Sequence, residues 1–97
     1  MNIFENESVE KLFKAIADIE NAEECAAFFG DLCTIKEIQD MAQRLETAIL
    51  LDKHENYQTI SAKVGVSSAT ISRVSRCLNY GTGGYKTVIG KMAGEKK

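Results

Sequence analysis

From Tyr57 to Leu78 the chain reads YQTISAKVGVSSATISRVSRCL, and the spacing inside this stretch decides the fold. Ile60 and Val64 recur at helical spacing, as do Ile71, Val74 and Leu78 further on. Between the two groups stand Gly65, the residue type that suits a tight turn, and the apolar Val66. Two short helices that cross at a wide angle need small residues where they approach, which Ser61 and Ala62 supply in the first. The pattern predicts a helix-turn-helix over residues 57–78.

The second helix of this pair carries the chemistry. Ser67 is placed to cap it, and its outward positions are Ser68, Ala69, Ser72, Arg73 and Arg76. Short polar side chains let a helix backbone sit deep in a major groove, and arginines reach guanine edges or phosphates. No acidic residue occurs between Lys63 and Lys86, so nothing there would oppose a phosphate. The expected DNA-contacting set is Ser67, Ser68, Ala69, Thr70, Ser72, Arg73 and Arg76, with Thr59 and Lys63 from the first helix. A helical hairpin whose small residues serve packing alone is the plainer alternative.

Charge is divided along the chain in the same sense. The net value is −2, yet residues 1–56 hold five basic and thirteen acidic side chains, a balance of −8. Residues 57–97 hold seven basic side chains against the lone Glu95, a balance of +6. A basic end can meet phosphates, and an acidic end should avoid them.

Working outward, the rest of the chain also reads as helix. Proline is absent and no apolar–polar alternation persists as it would in a strand. Ser8 is the expected cap of a first helix with the stripe Val9, Leu12, Phe13, Ile16 and Ile19. Asn21 and Glu24 suggest a capping box for a short helix with Cys25, Phe28 and Phe29, ending near Gly30. Thr34 and Glu37 open a third helix to about Lys53, with Ile35, Ile38, Met41, Ala42, Leu45 and Ile49 on one side. Lys53 and His54 suit the negative pole of its dipole. Gly81 is expected to end the fifth helix in a left-handed conformation, with a sixth over 85–92 and a frayed tail from Gly94 to Lys97. The reading is all-α with six helices in a single domain spanning 1–97: a helical dimerisation core over 8–54, the helix-turn-helix over 57–78, and a C-terminal helix over 85–92.

Several function classes are set aside on the residues. No apolar run approaches the roughly 20 residues of a membrane span, so no membrane partner is expected. The acidic start, from Met1 to Glu7, lacks the regions of a signal peptide, which points to the cytoplasm. Cys25, Cys33 and Cys77 are widely spaced and read as reduced thiols, and His54 is the only histidine; no metal site is expected. The run from Gly81 to Gly84 lacks the strand and Lys-Ser or Lys-Thr of a phosphate loop, and reads as a turn. No nucleophile–base grouping has workable spacing, so neither an enzyme nor a cofactor is expected.

From Cys33 to Leu78 the chain resembles the Trp repressor family, on the stretches Thr34 to Glu37, Ala42 to Arg44 and Ala69 to Arg73. Further stretches are similar to its YerC/YecD-type branch: Glu24-Cys25, Phe28-Phe29, Asp31 to Thr34, Ala42 to Glu46, Ala69 to Val74 and Arg76 to Gly81. The resemblance then extends from about Val9 to Ile89. It implies an intertwined homodimer that carries its helix-turn-helix units at opposite ends. Symmetric half-sites about one helical turn apart would follow. The resemblance also implies an effector pocket at Thr34, Arg44 and Arg73. Val74 stands where the family's repressor has a glycine beside tryptophan, and Cys77 where it has a serine. Lost room and a lost polar contact argue against tryptophan, while another small effector stays open. The expected function is a bacterial, sequence-specific, repressor-like DNA-binding transcription regulator that does not respond to tryptophan. The competing reading is a dimeric protein-interaction module that kept the helix-turn-helix shape without reading DNA.

Overall fold

The computed structural model describes residues 5–95; Met1 to Phe4 of the acidic start, and the tail residues Lys96 and Lys97, lie outside the described residues. The described chain is six α-helices with no strand: α1 Glu7–Ala17, α2 Ala22–Leu32, α3 Ile35–Asp52, α4 Tyr57–Val64, α5 Ser68–Tyr80 and α6 Gly84–Glu95. It divides into two compact units, Met1–Ile38 and Gln39–Lys97.

The first unit is built from locally started helices. The cap of α1 is Asn6, whose side chain accepts from the Ser8 and Val9 amides at 2.8 and 3.3 Å. Ser8 lies inside the helix instead of capping it, because asparagine reaches the same free amides from two positions earlier. Asn21 caps α2 as expected, accepting from the Glu24 amide at 2.8 Å. Helix α2 continues past Gly30, where no left-handed turn intervenes, and ends at Leu32 before the extended Cys33. A capping box then starts α3: the Thr34 amide donates to the Glu37 carboxylate at 2.8 Å and the Glu37 amide to the Thr34 hydroxyl at 3.1 Å. Phe28 and Phe29 meet edge to face with ring centres 5.8 Å apart. Despite these apolar side chains, neither α1 nor α2 contains a buried residue.

The second unit contains the core. Leu50 of α3, Ile60 of α4, Val66 of the turn and Ile71 of α5 form one buried cluster, with Leu51 and Val64 packed against it. Ala48, Val74 and Leu78 are buried too, as is Thr47, whose hydroxyl donates to the Gln43 carbonyl at 2.7 Å. Each buried leucine, isoleucine or valine side chain contributes about 1.5–3 kcal/mol relative to exposure.

The ends of the helices in this unit show how the chain is turned. After α3, the Glu55 amide donates to the Leu50 carbonyl and the His54 amide to Leu51, at 3.1 and 2.9 Å. This is a Schellman closure with His54 in its left-handed position at φ 65°. Gly81 departs from expectation: it is extended, and the left-handed residue of the α5–α6 turn is Gly83 at φ 89°. Glycine is still required at 81, since a Cβ there would collide with the Cys77 carbonyl oxygen. Helix α6 is longer than the expected 85–92, and Gly94 and Glu95 belong to it, not to a frayed tail.

Candidate nucleic-acid interface

The pair α4–α5 is positioned by its turn. Asn56 caps α4, accepting from the Thr59 amide at 2.8 Å. Gly65 ends it at φ 82°, ψ 30°, the left-handed conformation that glycine adopts at least cost. The Ser61 hydroxyl donates to the Val66 carbonyl at 2.9 Å, tying α4 to the chain beyond the turn. Ser61 therefore has a polar task as well as small size. Ala62 is exposed, so it does not serve the helix approach expected of it. Ser67 then caps α5, its oxygen accepting from the Thr70 amide at 3.2 Å.

Helix α5 has two distinct faces. Ile71, Val74 and Leu78 are buried, at 0, 2 and 7 % exposure, and anchor it to the unit. Ser67, Ser68, Ala69, Ser72, Arg73 and Arg76 are all exposed. Thr70 is half-buried, because it lies one position from Ile71 on the flank of the anchored face. On α4, Lys63 is exposed and Thr59 half-buried. From Ser68 to Arg76 the solvent-facing surface of α5 is thus short, polar and basic, with no acidic side chain on the helix, while Tyr80 at its end is 87 % exposed.

Beside the turn lies a cleft of about 340 Å³, lined by Arg44 of α3 and by Arg73 and Val74 of α5. Asp40, Gln43, Ser67 and Thr70 also face it. Among the described residues, the Arg44 and Arg73 guanidinium groups have neither a hydrogen bond nor an ion pair. Cys77 does not line this cleft. It is exposed and borders a separate, mainly apolar groove of about 570 Å³ with Leu45, Gly81, Tyr85 and Val88. Thr34 lies in the first unit, where its hydroxyl serves the capping box. Asp40 and Gln43 are not among the residues the sequence reading places here, although they precede Arg44 by four and one positions on α3. The four-residue step from Asp40 to Arg44 is the signal that could have found Asp40.

The model of the Trp repressor protein family matches residues 7–93. The chain belongs to the Trp repressor family. Among curated proteins it is similar to YerC of Bacillus subtilis (strain 168), itself described as uncharacterized, with 48% identity over 84 residues, 87% of this chain and 81% of that one. Among solved structures it is similar to a TrpR-like protein from Eubacterium eligens ATCC 27750, at 44% identity and a TM-score of 0.91. A candidate Trp repressor from Staphylococcus aureus is also similar, at 41% identity and a TM-score of 0.88. Each of those two likenesses covers 96% of both chains. The Trp repressor-type fold therefore extends over essentially the whole all-α chain. Among the described residues, no helix is long and apolar enough to cross a membrane, and no group of three or more His, Cys, Asp or Glu side chains could hold a metal ion.

Proposed function

We propose that this member of the Trp repressor family is a sequence-specific, repressor-like transcription regulator that reads duplex DNA through α4–α5. The observation that carries the reading is the division of α5. Three buried aliphatic residues fix the helix while Ser68, Ala69, Ser72, Arg73 and Arg76 are left to solvent. Such a surface admits the backbone to a major groove and offers guanidinium groups to bases and phosphates. Ser67, Thr70, Thr59 and Lys63 border it and complete the contact set.

The regulator works as a homodimer in this reading. Helices α1 and α2 carry Val9, Leu12, Ile16, Phe28 and Phe29 yet bury none of them, which a second copy would remedy. Paired reading heads then require symmetric half-sites about one helical turn apart. Its compartment is the bacterial cytoplasm, where its DNA lies.

Tryptophan is not the effector in this proposal. Arg44 and Arg73 line the cleft, but so does Val74, whose branched side chain is 2 % exposed and occupies the space a glycine would free. Cys77 borders a different groove, so it offers the cleft no polar contact.

The test is selection from a random duplex library, followed by titration of the enriched sequences across salt. A palindromic motif bound with a steep salt dependence is expected. Replacing Arg73 and Arg76 together with alanine should abolish that binding while the oligomeric state is unchanged. Full affinity in the double variant would overturn the assignment, and would favour an interaction module that responds to exposed apolar residues.

A further inference from the structure

His54, the single histidine of the chain, stands where a glycine would be unstrained. It holds the left-handed position of the turn after α3, at φ 65°. A backbone kept in a disfavoured region points to a use for the side chain it presents. The imidazole lines a cleft of about 330 Å³ on the second unit, where the end of α3 meets the C-terminal half of α5 and the start of α6.

The side chains around it carry opposite charges that do not neutralise each other. Asp52 is the last residue of α3 and Lys86 lies in the first turn of α6, and both line the cleft. Among the described residues, neither side chain has a hydrogen bond or an ion pair, nor does the imidazole. Helix α5 adds neutral polar groups. The Asn79 amide donates to the Ser75 carbonyl at 3.0 Å and to its hydroxyl at 3.4 Å. That leaves the Asn79 carbonyl oxygen able to accept and the Ser75 hydroxyl proton able to be donated. Leu78, 7 % exposed, supplies an apolar surface between them on the same helix.

We propose that this cleft binds a small zwitterion, its ammonium group held by Asp52 and Asn79 and its acid group by Lys86. An anion alone would be opposed by Asp52 and a cation alone by Lys86, whereas a compound with both charges satisfies both through charge-assisted hydrogen bonds. The imidazole donates from one ring nitrogen and accepts at the other, so His54 serves either end of such a compound. A volume of about 330 Å³ is at the small end of ligand pockets, which suits a short chain. None of these residues belongs to the DNA-contacting set, so the site stands apart from the DNA reading given above.

The experiment titrates straight-chain ω-amino carboxylates, from β-alanine to aminohexanoate, into the isotope-labelled full chain without DNA and follows amide chemical shifts. The series is a ruler for the separation of the two charges. Half-saturation near about 1 mM is expected for one length or two adjacent ones, with shifts centred on residues 51–54, 75–79 and 86. An alkylamine and an alkyl carboxylate of the same length, each with one charge, should bind about tenfold more weakly. Asp52→Asn and Lys86→Met should each weaken the zwitterion about tenfold. His54→Gly separates binding from structure: it should raise the melting temperature while affinity for the zwitterion falls. A histidine with a structural role alone would give the first change without the second. Asp52, His54 and Lys86 are all exposed, so the variants should retain the helical circular dichroism of the parent. The proposal is overturned by half-saturation above about 10 mM at every length, or by single-charge compounds that bind as well. Affinity indifferent to Asp52→Asn, Lys86→Met or His54→Gly overturns it too.

Discussion

Gly65 and His54 occupy the same region of backbone space, at φ 82° and 65°, but only one of them is glycine. Exchanging residue types at the two sites should move stability in opposite directions. An L side chain in the left-handed region costs about 1–2 kcal/mol. At Gly65 a Cβ would meet nothing within 4 Å, so no steric collision adds to that cost. Alanine also restricts the unfolded chain, which returns about 0.4–1 kcal/mol. Gly65→Ala should therefore destabilise by about 1 kcal/mol. His54→Gly removes the strain and adds freedom to the unfolded chain; histidine tolerates positive φ better than most residues, so the gain should be near 0.5 kcal/mol. For a domain of this size, 1 kcal/mol moves the melting temperature by about 4–8 °C. Thermal and urea unfolding at one fixed protein concentration would measure both, since the proposed dimer would make stability concentration-dependent. A stabilised Gly65→Ala, or shifts of the same sign in both variants, would refute the reasoning.

Ile71 is fully buried in the cluster with Leu50, Ile60 and Val66, so Ile71→Ala should cost about 2–5 kcal/mol in chemical denaturation. Thr34→Ala removes one half of the capping box and should cost about 1 kcal/mol, read from the same unfolding curves. Tryptophan at millimolar concentration should shift neither melting temperature nor DNA affinity; a clear thermal shift would show that Val74 leaves room for it.

Much of this architecture is legible because it is encoded locally. Asn21, Thr34 and Ser67 each announce a helix by accepting from the amide three residues ahead, and Ile60, Val66, Ile71, Val74 and Leu78 mark the buried side of the α4–α5 pair by spacing alone. Ser8 misleads for a local reason, since a second competent cap stands two residues upstream at Asn6. Gly30 and Gly81 show the limit more clearly. Glycine signals that an unusual backbone is permitted, and does not say whether it is used. Gly30 stays helical, whereas Gly81 is required by the approach of the Cys77 carbonyl. The cleft is half legible. The family resemblance assigns Arg44, Arg73 and Val74 to a pocket, yet Cys77 borders another groove, and nothing in the resemblance points to Asp40 or Gln43. Which residues from α3 and α5 share a cavity depends on how those helices pack, and no local pattern carries that information.

Helices α1, α2, α4 and α5 each begin at a side chain that accepts an amide no more than three positions away, and α3 begins at a reciprocal pair of the same reach. Boundaries drawn over so few residues need no distant segment to bring them about. They can form before the chain has collapsed, on the submicrosecond scale of helix nucleation. The slow event left for assembly is then the joining of these nascent helices, and two chains must meet for it if a second copy is to cover α1 and α2. Under the proposed homodimer, folding of the whole should accordingly quicken with protein concentration, while the appearance of helix should not.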